Sequence, residues 1–112
     1  MSIVYRYKNT VSGKSYIGFT IDLEKRSRRH ERDSRKVDNK FYRAVRKYGW
    51  DAFDLSVLYH GSDTKFTHEI MEPYLIREYD TFNNGYNSAE GGLGVIGAVR
   101  DRIWVNNGIE SL

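Results

Sequence analysis

The alternation of apolar and polar residues near the start of the chain predicts a β-hairpin. Residues 3–7 and 14–19 are rich in β-formers, and the turn-rich residues 9–13 separate them. Facing residues of an antiparallel pair share one side of the sheet, so any register whose paired numbers have an odd sum places Tyr5 and Tyr16 on the same face. Sums of 21 and 25 are both compatible with this turn.

A charged helix is predicted after the hairpin, over about residues 23–32. Asp22 is its expected N-cap, because a side-chain oxygen at this position accepts a hydrogen bond from the first turn. The helix carries almost no apolar stripe. Arg26, Arg29 and His30 stand at i, i+3 and i+4, so they share one face.

A second helix is predicted over about residues 40–48, with Gly49 as its C-terminal stop. Its apolar residues recur at i, i+3, i+4 and i+7, the period of a helix that packs on a core. The core side holds Phe41, Ala44, Val45 and Tyr48, and the opposite side and its edges hold Lys40, Arg43, Arg46 and Lys47.

A third strand and an interrupted helix follow. Residues 52–59 alternate and predict a strand, and residues 64–79 have helical periodicity. Pro73 lies within the helical segment. Because proline removes a backbone donor and disfavours helical geometry at the preceding residue, we expect a kink or restart near Glu72. Residues 81–87 then form a turn-rich loop.

The composition fits one small globular domain and excludes several kinds of chemistry. The chain has 112 residues, 39% of them hydrophobic, and no cysteine. There is therefore no disulfide framework, no thiolate zinc site and no cysteine nucleophile. The N-terminus lacks the long apolar run of a signal peptide or membrane span, so we expect an intracellular, cytoplasmic protein with no membrane partner.

The charge is divided unevenly along the chain. Residues 1–50 hold 14 Lys and Arg against 5 Asp and Glu, whereas residues 51–112 hold 4 against 10; the differences of +9 and −6 add to the net +3. A basic half is typical of a surface that meets a polyanion. The alternative is that these cations solvate the two helices.

Single candidate residues also have ordinary explanations. Glu72 has Leu75 and Ile76 at i+3 and i+4, where an unpaired charge would be costly, but His68 at i−4 allows a plain surface pair. Tyr5 and Tyr16 are common strand residues. Arg26, His30 and Asn87 fit solvated helix and turn positions equally well.

The order of these motifs is more informative than any one of them. Ile-Val-Tyr at residues 3–5 is followed by Tyr-Ile-Gly at 16–18, then Arg26 and His30, Lys-Tyr-Gly at 47–49, Glu72, and Gly-Tyr-Asn at 85–87. This arrangement resembles the GIY-YIG nuclease family over most of the chain. The Lys-Asn-Thr after the first strand and the Tyr-Asp-Thr-Phe-Asn-Asn-Gly-Tyr-Asn stretch look most like phage and mobile-intron homing endonucleases.

The resemblance implies a small α/β domain of the α+β type, with a three-stranded antiparallel sheet flanked by helices. It also implies cleavage of a phosphodiester bond in double-stranded DNA with one divalent ion, Mg²⁺ or Mn²⁺. By position, the family's catalytic residues correspond to Tyr5, Tyr16, Arg26, His30 and Glu72. Gly18 matches the motif glycine, where a side chain would crowd the sheet, and Asn87 matches a structural asparagine.

These residue types suit phosphodiester hydrolysis. A nearby guanidinium and metal would favour the phenolate of a tyrosine, so we expect Tyr5 to act as general base and Tyr16 to position water or phosphate. Arg26 would stabilise the transition state, and Glu72 would hold the metal ion. Flanking phosphates would be bound by the basic helix faces, including Arg29, Arg32, Arg43, Arg46 and Lys47.

Two features depart from the family pattern. Its first motif glycine is replaced by Ile3, and Pro73 adjoins the expected metal ligand. A repair or restriction nuclease, or a DNA-binding module that has lost catalysis, therefore stays an alternative to a homing endonuclease. We expect the nuclease domain over residues 1–92 and a tail over 93–112, whose Ile-Trp-Val-Asn-Asn-Gly stretch predicts the start of a linker or DNA-binding region.

Overall fold

The computed structural model describes residues 1–89 and contains a three-stranded antiparallel sheet. Its strands are β1 (Ser2–Asn9), β2 (Ser15–Thr20) and β3 (Phe53–Gly61), in the spatial order β2-β1-β3. The fold prediction of a three-stranded sheet flanked by helices is confirmed. Because β1 is central, one edge of β2 pairs with no strand among residues 1–89.

The hairpin register confirms one prediction and corrects another. Tyr5 pairs with Gly18 and Tyr7 with Tyr16, which gives a register sum of 23. The odd sum places Tyr5 and Tyr16 on one face, as predicted, but both sums considered, 21 and 25, are wrong. The turn sets this register, because the N–H of Asn9 donates to the Lys14 carbonyl at 2.8 Å and Gly13 takes a φ of 77°.

Two helices cover the face that carries Tyr5. Helix α1 spans Leu23–Asp33, one residue more than predicted, and the Asp22 side chain caps it by accepting from the Lys25 N–H at 3.1 Å. Helix α2 spans Lys40–Tyr48 as predicted, with Asn39 as its N-cap. Gly49 ends α2 at a φ of 92°, a conformation that favours glycine.

The segment after β3 is helical without interruption, and the predicted kink or restart near Glu72 takes the form of a change from π-helical to α-helical hydrogen bonding. A short helix α3 (Thr64–Phe66) leads into a π-helical turn (Thr67–Met71), and α4 (Glu72–Glu78) restarts there. Pro73 stands in the first turn of α4, a position at which proline is tolerated. The predicted loop after it contains a short helix, α5 (Thr81–Asn84).

The sheet separates two cores. On the face of α1 and α2, which we call the upper face, Tyr5 and Tyr7 pack with an aromatic group centred on Phe41. On the lower face, Val4 and Ile17 pack against Ile76 of α4. The predicted core residues Phe41, Ala44 and Val45 of α2 are buried, and Tyr48 is half-buried.

Two predictions concern residues that the structure does not describe. The predicted boundary at residue 92 and the tail over 93–112 lie outside residues 1–89. Within that range, no helix has both the length and the apolar character needed to cross a bilayer.

Candidate active site

The centre of the candidate site is the hydroxyl of Tyr5, which is held by two residues of α1. Nε2 of His30 lies 2.6 Å from this oxygen, and Nε of Arg26 donates to it at 3.4 Å. The shared helical face predicted for Arg26 and His30 is what lets both side chains reach one atom. Burial is the main reason that the pKa of Tyr5 lies well above its usual value, so the phenol is protonated at neutral pH.

His30 continues the hydrogen-bond chain into α2. Its Nδ1 lies 2.7 Å from the hydroxyl of Tyr42, and the imidazole is only 2% exposed. Burial, together with the charge of Arg26, lowers the pKa of His30 to about 3. The ring is therefore neutral at physiological pH and bridges two tyrosine hydroxyls with a single N–H.

Tyr42 is the member of this chain that sequence reasoning missed. The pattern at i, i+3, i+4 and i+7 assigned Tyr48 to the core side of α2, yet Tyr42 is the more deeply buried, at 7% exposure. The adjacent aromatic residues Phe41 and Tyr42 are the signal that could have revealed it. They widen the apolar stripe of α2 toward α1, where His30 lies.

Gly18 leaves room for the ring of Tyr5. A Cβ atom at this position would collide with the Tyr5 hydroxyl, would lie 2.5 Å from its Cζ, and would lie 3.1 Å from Cε2 of Tyr16. The expectation that a side chain would crowd the sheet here is therefore supported by the structure. The close approach of two aromatic rings requires glycine at this position.

Tyr16 stands between the two charged residues of the predicted site. Burial raises its pKa to about 12, with the positive charge of Arg26 opposing this shift and the negative charge of Glu72 adding to it. Its ring stacks on Phe41 with centroids 4.4 Å apart. Both Arg26 and Glu72 are thus close enough to act on the Tyr16 hydroxyl electrostatically.

Glu72 reaches the site around the free edge of β2. Its helix packs on the lower face, yet the side chain lines a cavity of about 280 Å³ together with Tyr16, Asn39 and Asn87. The carboxylate is 12% exposed, and its Oε1 lies 3.6 Å from Nε2 of His68. The π-helical turn before Pro73 has therefore not removed Glu72 from the neighbourhood of Tyr16.

Asn87 fixes the cavity to the edge of β2. Its Oδ1 accepts from the Ile17 N–H at 2.9 Å and its Nδ2 donates to the Ile17 carbonyl at 2.8 Å, as a paired strand would. Gly85 allows this approach, because a Cβ there would lie 2.6 Å from the Ser15 carbonyl oxygen. The structural role expected for Asn87 therefore has a direct physical basis.

The donor set suits an ion shared with a substrate better than a protein cage. Among residues 1–89, no group of three or more His, Asp or Glu side chains converges as metal ligands. Glu72 offers one carboxylate in an open, polar cavity. Mg²⁺ is commonly bound by one or two carboxylates, with water and phosphate oxygens completing its shell, so these residues fit that ion.

The arginines expected to bind DNA differ in what they already contact. Arg29 and Arg32 lie 3.7 and 3.4 Å from Asp33, and Arg43 lies 3.0 Å from Asp38. Arg46 donates to the carbonyls of Ser34 and Val37 at 2.8 and 3.0 Å. It therefore ties α2 to the segment that joins it to α1, and its contact with DNA stays a prediction.

Comparisons with known proteins identify similar sequences and folds. The family model of the GIY-YIG catalytic domain matches residues 1–87. Over 94 residues the chain is 34% identical to "Intron-associated endonuclease 1" of enterobacteria phage T4; the match covers 81% of this chain but only 38% of that protein.

Two solved structures resemble the fold. The catalytic domain of homing endonuclease I-TevI matches with a TM-score of 0.71 and 34% identity, over 80% of this chain and 99% of that one. A glutamate-to-alanine mutant of that domain matches with a TM-score of 0.72 and 34% identity, over 80% and 94% of the two chains.

Proposed function

The chain belongs to the family of GIY-YIG catalytic domains, and from this premise we propose that it is a divalent-metal-dependent endonuclease of the homing type, which hydrolyses phosphodiester bonds in double-stranded DNA. The observation that carries the proposal is the position of Tyr16, on which the charges of Arg26 and Glu72 both act at the edge of β2. A phosphate seated there would meet the phenol and the carboxylate directly and would come under the positive charge of Arg26, whose own side chain lines a different concave surface.

Arg26 supplies the positive charge that this reaction needs. A guanidinium stays charged at all relevant pH values and matches two phosphate oxygens, so it can stabilise the negative charge that grows in the transition state. The hydrogen bond from its Nε to the buried Tyr5 hydroxyl fixes the base of the guanidinium. Tyr5, His30 and Tyr42 then act as positioning residues for Arg26.

The two tyrosines differ in their access to a substrate. Tyr5 has no exposed surface, whereas Tyr16 lines the cavity beside Glu72. A group that exchanges a proton with water must lie within hydrogen-bond reach of it. We therefore assign contact with the phosphate or its attacking water to Tyr16, and the general-base role expected for Tyr5 is not retained. Near neutral pH the Tyr16 hydroxyl is protonated and donates to an oxygen of the substrate.

Glu72 is the residue that would hold Mg²⁺ or Mn²⁺. Such an ion, when bound, supplies Lewis-acid stabilisation at the phosphoryl and leaving oxygens. The contribution of the chain is the carboxylate and its orientation, which the contact with His68 and the fold of α4 restrain.

The test is plasmid cleavage in the presence of Mg²⁺ or Mn²⁺. The parent protein should nick or linearise DNA, and Glu72→Gln and Arg26→Ala should each reduce the rate by about a hundredfold or more. Two matched controls lie nearby: Glu69→Gln is three residues before Glu72 and pairs with Lys65, and Arg28→Ala is two residues after Arg26 and pairs with Glu24. Both should cut like the parent. Full activity in both site variants would refute the assignment.

The same experiment separates the proposal from a binding module without catalysis. Such a module would bind DNA with a steep salt dependence and leave plasmid intact at every metal concentration. The place of Glu72 in the cavity beside Tyr16 favours the enzyme. A preference for branched or damaged DNA over intact duplex would instead indicate a repair nuclease.

A further inference from the structure

A second concave surface adjoins the candidate active site. We propose that this surface binds the sugar–phosphate backbone of the DNA strand where it continues beyond the cleaved bond, an inference that rests on the proposed function. We call it the basic groove; its volume is about 320 Å³, and its polar and aromatic lining consists mainly of Lys14, Lys40, Arg43, Lys47, Tyr48 and Tyr86.

The charge of the basic groove has one sign. Its lining contains four cationic side chains and no carboxylate from the part of the chain that the structure describes. They come from two separate elements, since Lys14 precedes β2 in the hairpin turn and the others project from α2. A concave surface with cations on both walls concentrates positive potential, which favours a polyanion.

The exposed surface of α1 is the alternative surface for binding DNA, but its arginines are already paired with carboxylates. Arg28 pairs with Glu24 at 3.4 Å, and Arg29 and Arg32 both approach Asp33. In the groove, Arg43 pairs with Asp38 at 3.0 Å, but between residues 1 and 89 neither Lys14 nor Lys47 has a carboxylate within salt-bridge distance. Phosphate binding in the basic groove therefore breaks fewer existing ion pairs than binding along α1.

The basic groove is continuous with the active-site cavity. Tyr86 lines both, and the adjacent residues Asn39 and Lys40 line the cavity and the groove respectively. Tyr86 is held in place, because its hydroxyl lies 2.7 Å from Oγ of Ser12 and accepts from Nδ2 of Asn9 at 3.1 Å. A strand that leaves the phosphate position beside Glu72 can thus pass over a fixed wall into the groove.

The test is the salt dependence of DNA affinity, measured by fluorescence anisotropy with a labelled duplex in EDTA, where no cleavage occurs. Each lost phosphate contact lowers the slope of log K against log salt by about 0.9. Lys14→Ala and Lys47→Ala should each lower it by this amount and weaken binding about fivefold near 0.15 M salt, with about thirtyfold for the pair. Both side chains are exposed, so folding should survive.

Lys65→Ala is the matched control. It removes the same charge from an exposed lysine of α3 that pairs with Glu69 and is not part of the lining of the groove. It should leave the slope unchanged. Lys14→Gln and Lys47→Gln keep most of the side-chain length and should reproduce the loss, which separates the effect of charge from that of shape.

The outcomes distinguish this inference from the proposed function. If the parent cleaves plasmid but the paired lysine variant keeps the parental slope, the groove inference is overturned and the nuclease proposal stands. If the parent binds DNA without cleavage and the lysine variants still lower the salt slope, the nuclease proposal is overturned and the groove inference stands. A parent that has no affinity for DNA at low salt would overturn both.

Discussion

The Tyr5 hydroxyl and Nε2 of His30 lie 2.6 Å apart in the buried upper core, and this contact links the sheet to α1. The direction of the hydrogen bond follows from its neighbours. A neutral His30 has one N–H and one acceptor nitrogen, so we assign the tautomer that gives the buried Tyr5 O–H an acceptor. In this assignment the Tyr5 O–H donates to Nε2, its oxygen accepts from Arg26, and the His30 proton resides on Nδ1, toward Tyr42. In this tautomer the Tyr5 O–H has an acceptor, and each ring nitrogen of His30 has a tyrosine hydroxyl as its hydrogen-bond partner.

The neutral state of His30 should make stability fall in acid. Its pKa is about 3 in the folded protein and about 6.5 in an unfolded chain, so between these values the unfolded state binds one more proton. Above pH 6.5 His30 therefore leaves the free energy of unfolding undiminished. As the pH falls from 6.5 toward 3, protonation of the unfolded state should decrease this free energy by about 1.4 kcal/mol per pH unit.

Urea unfolding between pH 7 and pH 5 measures this slope, and His30→Gln is the comparison. The variant should be less stable at pH 7, but it should lack the part of the slope that belongs to His30. Equal slopes in the two proteins would show that His30 is not held neutral.

Tyr42→Phe should destabilise the fold by about 1–3 kcal/mol, because it leaves Nδ1 of the buried His30 without its partner. It should also lower the cleavage rate more than DNA affinity, since it acts on Arg26 through His30 and Tyr5. Tyr74→Phe removes the hydroxyl of an exposed tyrosine of α4 that lines neither the cavity nor the basic groove, and it serves as the control. Chemical denaturation and single-turnover kinetics supply the two measurements.

Gly18→Ala should cost about 1–3 kcal/mol, because the new methyl group would force the Tyr5 side chain to move. The cost should be smaller in a Tyr5→Phe background, where the colliding hydroxyl is gone. A double-mutant cycle measures this coupling, which for contacting residues is about 0.5 kcal/mol or more. Strict additivity of the two substitutions would contradict the packing described for this pair.

The local elements were predictable because their signals are local. Alternation placed Tyr5 and Tyr16 on one face, and the periodicity and Gly49 gave the bounds of α2. The hairpin register, with its sum of 23, could not be predicted in this way. It depends on the turn conformation at Gly13 and not on which residues alternate. The prediction that Tyr5 and Tyr16 share a face stayed correct, because shifting the strand pairing by two residues leaves every side chain on the same face of the sheet.

The candidate site was predictable only in part, since it depends on strand order. The shared face of Arg26 and His30 follows from helical spacing, but Tyr42 joins them only because α2 packs beside α1. Glu72 approaches Tyr16 around an edge that exists because β1, and not β2, is central. No local pattern encodes that order, and the family resemblance supplied what spacing could not.

Asn87→Asp tests whether the amide of Asn87, and not merely a polar side chain, holds residues 85–87 against β2. The substitution keeps an acceptor for the Ile17 N–H but replaces the donor with an oxygen that faces the Ile17 carbonyl, now 2.8 Å from Nδ2. Loss of a buried hydrogen bond and the new repulsion should together cost about 2–4 kcal/mol near neutral pH. Because protonation of the new carboxyl restores a donor, part of this loss should be recovered in acid, whereas Asn87→Ala should recover none.

Asn83→Asp makes the same chemical change at an exposed position of α5 and should alter stability by no more than about 0.5 kcal/mol. Thermal or urea unfolding of all three variants at neutral and acidic pH makes the comparison. An Asn87→Asp protein as stable as the parent at neutral pH would mean that the paired hydrogen bonds to Ile17 do not hold residues 85–87 against β2. Since Tyr86 forms the wall shared by the cavity and the basic groove, cleavage and groove binding should decline together in Asn87→Asp.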